Sequence, residues 1–449
     1  MPQDHSELYY QQESTRHFLY SKAEAGDQAK KQIRTPASSI QAAVQSIYPA
    51  LLTRHSFLEH SARHLSSTNI CACVVIQIDA SDRSDFEQTK SEQPAAYLTA
   101  AKEINELCRE HNGTWGLVES SLYGVFFGGK NAQVCLRLIQ KFQQTLKKQT
   151  GTTASAGIAE CSKLNDKPAE MLIRALKALD HASFFGPNSA VIFDAVSLNI
   201  SGDKLFDKGD IKGSIEEFKQ ALKLDPSNIN VHNSLGVCYG LCADYKKAKL
   251  EFNTAIKLDS TEVMSRYNLA FTNMLEGNRQ KALDLFLKVN AINQDVFEIA
   301  FQTGRLLMEM SQPEKGKKFL EHASRLKPQS AAVFRYLGEC YTNIGKIDDA
   351  IVVYKKAIKQ NPSDAASLSA LGFLFDEKGE NPEISIMFCQ ESVKLSPENG
   401  LFRYRLGQLY FKQNRLDDAL KEFKKADLLG HDASDYIKKI QNKLPAKAL

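Results

Sequence analysis

Asp79, Asp82 and Asp85 stand where a strand-like apolar run ends, and they are the first residues with the chemistry to hold a divalent cation. Hard cations want several oxygen ligands. Three acids on one polar stretch also fit an exposed loop, and that plainer reading is preferred. Gly128-Gly129-Lys130 has the residue types of a phosphate cradle, but the GxxxxGK[ST] spacing is missing and the trio simply ends a strand. The nine cysteines include no CxxC pair, and Cys71 and Cys73 sit inside an apolar run, so they read as buried, reduced thiols. The ten histidines show neither HExxH nor Cys/His metal spacing. No catalytic, cofactor-binding or metal-ligating residue is assigned from these types and spacings.

The elements that must position these groups follow from hydrophobic periodicity. Residues 1–40 are polar, with Gly26 and Pro36 as breakers, and read as a flexible arm or a short docking helix rather than a domain. Ser46–Leu65 reads as a helix, and Cys71–Asp79 (CACVVIQID) as a buried strand. Ala95–His111 is helical, then Gly113–Val118 and Leu122–Gly128 form a hairpin about Glu119–Ser121. Helix Ala132–Lys148, strand Thr152–Glu160, helix Pro168–Phe184 and strand Ala190–Phe193 complete an α/β sandwich over residues 41–195. A net charge of +4 gives no field that would draw nucleic acid or an anionic membrane. No segment reaches the roughly 18 apolar residues of a membrane span. The N-terminus lacks the basic start and apolar core of a signal peptide, so a cytoplasmic location is expected.

Met171–Asp194 resembles the last helix and strand of GGDEF (diguanylate cyclase) domains, with Arg174, Ala175, Ala178, Leu179, Ala182, Gly186 and Asn188 in register. The strand Ser155–Glu160 (SAGIAE) resembles that family's SIGIA strand, and Leu51, Arg54 and Phe57 match its opening segment. The resemblance spans about 46–194 and implies a nucleotide-cyclase-like sandwich. The family's chemistry is not carried over. Its signature turn is here Glu119-Ser120-Ser121-Leu122-Tyr123, without glycines and with Leu122 in place of an acid. Gln77 replaces the metal-binding Asp, Ser183 and Pro187 replace phosphate-binding cations, and Glu110–Gly113 (EHNG) replaces the RxxD product site. One carboxylate, Asp79, does not make a two-ion site. A degenerate, non-catalytic domain is expected.

After residue 195 a 34-residue pattern takes over. In Ala331–Asp364, Phe334, Leu337, Gly338 and Tyr341 mark one helix, Gly345 a break, and Ala350, Tyr354 and Ala357 a second helix ended by Pro362. Leu235, Gly236, Tyr239, Ala248, Phe252 and Ala255 repeat the pattern, as do Leu406, Gly407, Tyr410, Ala419, Phe423 and Ala426. This resembles the tetratricopeptide repeat (TPR). About seven copies cover 196–433, an all-α solenoid, and 434–449 reads as a capping helix and tail. By resemblance, positions 5, 9 and 12 of each copy line a groove. They include Tyr267, Phe271 and Met274, then Phe301, Arg305 and Met308, then Arg335, Phe373, Tyr404 and Phe411. Aromatic, Met and Arg side chains suit a peptide interface.

The expected function is therefore a bacterial scaffold or adaptor in signalling or assembly, binding a protein or peptide partner in the groove. A homodimer through the first domain is compatible with this. The second reading is a sensor of GTP or cyclic di-GMP with the repeats as output.

Overall fold

The computed structural model describes residues 37–65, 70–79, 89–119, 121–161 and 167–443. Asp82, Asp85 and Ser120, singled out above, lie outside the described residues. The chain forms two compact units that divide between Ser260 and Thr261.

In the first unit, helices α1 (Ala37–Ile47), α2 (Arg54–Leu65), α3 (Thr89–His111), α4 (Ala132–Thr150) and α5 (Pro168–Ala182) flank one sheet. Its strands are β1 (Leu52–Thr53), β2 (Cys71–Ile78), β3 (Gly113–Glu119), β4 (Leu122–Gly128), β5 (Ala154–Glu160) and β6 (Ala190–Ile192). The order across the sheet is β1-β3-β4-β2-β5-β6. Central β2 is antiparallel to β4 and β5, while β1–β3 and β5–β6 are parallel edge pairs. The segment from β2 to β5 thus runs strand, helix, hairpin, helix, strand, the split βαβ arrangement.

Strand alternation explains the two core layers. Ala72, Val74 and Ile76 join Ile104, Ile139 and Val44 on one face, and Cys71, Cys73 and Val75 join Phe57, Met171 and Ala175 on the other. Burial pushes the Cys108 and Cys135 thiols up to about 12, as expected of inert core sulfur. The continuous helix expected over Ser46–Leu65 is broken. It ends at Ile47, β1 intervenes, and α2 starts at Arg54. Pro49 disfavours helical backbone at Tyr48 and accounts for the break.

The same unit continues into two helical hairpins, α6 (Ala195–Asp207)/α7 (Ile211–Leu224) and α8 (Ile229–Leu241)/α9 (Tyr245–Leu258). Asp194, leaving β6, caps α6 by accepting from the Ser197 amide at 2.8 Å. A Lys177–Glu217 ion pair at 2.7 Å, mostly buried, ties α5 to α7, and Lys204–Asp180 at 2.6 Å ties α6 to α5.

The second unit holds five hairpins: α10 (Val263–Leu275)/α11 (Arg279–Ile292), α12 (Phe297–Glu309)/α13 (Pro313–Leu326), α14 (Ala331–Asn343)/α15 (Ile347–Gln360), α16 (Ala365–Glu377)/α17 (Pro382–Leu395) and α18 (Gly400–Lys412)/α19 (Leu416–Leu428). Helix α20 (Ser434–Lys443) follows. Every hairpin in both units turns on one left-handed residue: Gly209, Ala243, Gly277, Ser311, Gly345, Gly379 or Asn414. Glycine takes that conformation at least cost. Gly338 serves a different need, because a Cβ there would lie 2.7 Å from the Tyr354 ring. The glycine therefore leaves room for the partner helix's aromatic side chain.

Candidate peptide-binding surface

The first helices of successive hairpins in the second unit touch one another through long side chains. Arg305 on α12 reaches Met274 on α10, with Nη2 3.9 Å from Sδ, and its Nε lies 3.4 Å from a Glu309 carboxylate oxygen. Arg335 on α14 lies over the Tyr336 ring at 5.1 Å and 3.8 Å from Asp364, the N-cap of α16. Arg405 on α18 lies over the Phe373 ring of α16 at 5.4 Å, and its Nη1 donates to Ser369 Oγ at 3.3 Å. Met274, Arg305, Met308, Arg335 and Phe373 are all half-buried, so each keeps some surface toward solvent.

Five other expected groove residues sit differently. Tyr267 and Phe271 are fully buried, stacked on each other at 6.0 Å, with Tyr267 also 5.6 Å from Phe286 of the paired helix. Phe301 is buried against Tyr336. These three rings offer no open contact surface, because an aromatic side chain at a helix–helix seam packs between helices. Tyr404 and Phe411 contact Tyr436 of α20 at 5.8 and 5.4 Å, and Gln408 bonds the Tyr436 hydroxyl at 3.3 Å. The closing helix thus covers the last repeat's row of positions 5, 9 and 12, as well as packing Ile440 into its core.

Arg405 was missed by reading those three positions alone. It stands one residue after Tyr404, where the preceding hairpins carry Asn268, Gln302, Tyr336 and Ala370. A cation at that place in only one copy was the available signal. Burial pulls the Arg405 guanidinium below its usual value, and burial raises Glu339 despite the opposing fields of Arg335 and Arg405.

In the α/β part, Asp79 accepts from Thr153 Oγ1 at 2.7 Å, Ser155 Oγ at 2.8 Å and the Asn188 amide at 2.7 Å. Gln77 pairs in register with Leu122, so an amide and an apolar side chain meet at the end of the β3–β4 hairpin. Among the described residues no group of three His, Cys, Asp or Glu side chains is placed to hold a metal ion.

Family models described as TPR repeat match residues 202–241 and 338–379, and models described as tetratricopeptide repeat match 229–262 and 388–434. The hairpins these models cover match tetratricopeptide repeats. Such repeats generally mediate protein–protein contacts and are scaffolds rather than enzymes. None of these models reaches residues before 202, so the GGDEF resemblance has no support from them.

The chain is 24% identical over 247 residues to "Hsp70-Hsp90 organizing protein 1" of Glycine max, an alignment covering 52% of this chain and 41% of that protein. It is 22% identical over 249 residues to "BBSome complex member BBS4" of Bos taurus, covering 55% and 46%. The chain thus spans less than half the length of these curated relatives. Among solved structures, YrrB, "a TPR protein with an unusual peptide-binding site", is 18% identical with a TM-score of 0.38, covering 42% of this chain and 96% of that one. No helix among the described residues is long and apolar enough to cross a membrane.

Proposed function

We propose that this chain is a non-catalytic adaptor of bacterial signalling or assembly, cytoplasmic, which holds a partner's peptide segment along the first helices of its C-terminal repeats. The observation that carries this is the row formed by Met274, Arg305, Met308, Arg335 and Phe373, half-buried and bridged from helix to helix by arginines. Apolar, polarisable and guanidinium groups on a repeated scaffold suit an extended or helical ligand. In this reading residues 41–195 are a degenerate GGDEF-like module for docking or dimerisation, residues 196–433 are the repeats, and 434–449 close them. The strand order of the sheet is compatible with that module, but a split βαβ sheet hosts many functions and does not select one.

Photo-crosslinking tests the binding surface. Benzoylphenylalanine placed at Met308 or Phe373 of the full chain should capture a protein in the native host. The same group at exposed Leu395 should not. Equal capture from all three positions would sink the reading. The nucleotide-sensor reading is weakened by Asp79, whose carboxylate already accepts three hydrogen bonds from protein donors. Calorimetry of the full chain with GTP and Mg²⁺, and with cyclic di-GMP, should give no binding heat.

A further inference from the structure

Arg405 holds an unusual electrostatic position among the groove cations. Arg305 has Glu309 and Arg335 has Asp364. Among the described residues, Arg405 has the Ser369 hydroxyl and the Phe373 ring, with no carboxylate oxygen within 4.0 Å of it. Glu339 and Glu377 act on it through their fields without touching it, and the nearby Asp376 is taken up by Lys412. Removing a guanidinium from water without a paired anion is unfavourable, and a ligand carboxylate offsets that cost.

We propose that the Arg405–Ser369–Phe373 corner is a specificity pocket for an aspartate or glutamate side chain within the bound peptide. This inference rests on the peptide-binding reading above and narrows it to acidic segments. Guanidinium N–H groups supply donors to one carboxylate, the fully buried Ser369 hydroxyl holds the guanidinium from behind, and half-buried Phe373 supplies a flat apolar wall for the acid's methylenes. One guanidinium matches a single side-chain acid. Capture of a chain-terminal carboxylate calls for a backbone nest or several converging donors.

A phage-displayed random dodecapeptide library, panned on the immobilised full chain, tests this. The selected pool should be enriched in Asp and Glu over the input. Its most acidic clone, resynthesised with an amidated C-terminus, should bind Arg405→Gln at least about tenfold more weakly, as loss of one partner of a desolvated charge pair predicts. Arg405→Lys should keep part of the affinity, because the charge remains while the fork is lost. Should Arg405→Gln fail to fold, the wild-type pool's composition and Arg405→Lys decide the matter. An acid-poor pool whose clones still weaken on Met308→Ala overturns the acidic assignment and leaves the peptide reading standing. A wild-type panning that enriches nothing overturns both. A clone that binds only with a free C-terminal carboxylate overturns the side-chain assignment. Self-association of the apo chain that Arg405→Gln abolishes also overturns it, by giving the pocket to a second copy.

Discussion

Hairpins α8/α9 and α18/α19, one in each unit, solve the same packing problem with different cations. In α8/α9 the His232 Nδ1 meets Glu251 at 2.7 Å and Nε2 meets the Pro226 carbonyl at 3.1 Å. In α18/α19, Arg403 donates from Nη1 to Glu422 at 2.7 Å and from Nε to the Pro397 carbonyl at 2.6 Å. Each clasp ties a first helix to its partner helix and to the loop before it. The difference is what the cation does when pH rises. An imidazole facing two acceptors satisfies both only while doubly protonated, whereas a guanidinium stays charged throughout. The same repeat frame therefore carries one clasp whose imidazole can give up its proton as pH rises and one built on a permanently charged guanidinium.

Removing the acid should separate the two most. Glu422→Ala leaves the buried Arg403 charge without its anion and should cost roughly 3–5 kcal/mol. Glu251→Ala at pH 8 lets His232 shed its proton, so about 1–2 kcal/mol is expected. Amide hydrogen exchange of α18 and α8 reads both, and equal losses would break the distinction.

The helix seam differs too. A Cβ on Gly236 would lie 2.5 Å from the Phe252 ring, against 2.9 Å for Gly407 and Phe423. Gly236→Ala should therefore destabilise by about 1–3 kcal/mol and Gly407→Ala by less. Denaturant midpoints of the two variants check the order.

The pH response follows from His232, where burial opposes the charge but Glu251 and the Pro226 carbonyl hold its pKa above the usual value. A raised folded pKa adds stability that is fully present below the unfolded value of about 6.5 and is lost as pH climbs through the folded value. Protection of α8 should fall from pH 6 to pH 8 and that of α18 should not. A flat α8 profile, or the same fall in His232→Gln, would refute the assignment.

The smallest effect is at the turns. Ala243 and Asn414 both have left-handed backbone, with φ of 57° and 58°. Asparagine tolerates that region better than alanine. Ala243→Gly should stabilise by about 1 kcal/mol and Asn414→Gly by a few tenths, measured by thermal melting.

The sequence displayed what recurs and concealed what occurs once. Small and aromatic residues at a 34-residue spacing announced every hairpin, since each copy must bury the same seam. The strand run Cys71–Asp79 was equally plain, because both of its faces are covered. The two cation clasps were not legible, for their partners lie nineteen positions apart in the sequence. Repeat position puts Met308 and Phe373 at half-buried places, yet periodicity does not distinguish a ring facing solvent from one wedged into a seam, and Tyr267, Phe271 and Phe301, expected to line the groove, are buried. The covering of Tyr404 and Phe411 depended on where α20 folds back, which no local pattern encodes.

Asp79 holds an edge of the sheet together. Its carboxylate is bolted to β5 through Thr153 and Ser155 and to the β6 approach through Asn188, so it acts as a rivet in the sheet. Any ligand that needed this carboxylate would first have to break three contacts that fasten the edge of the sheet.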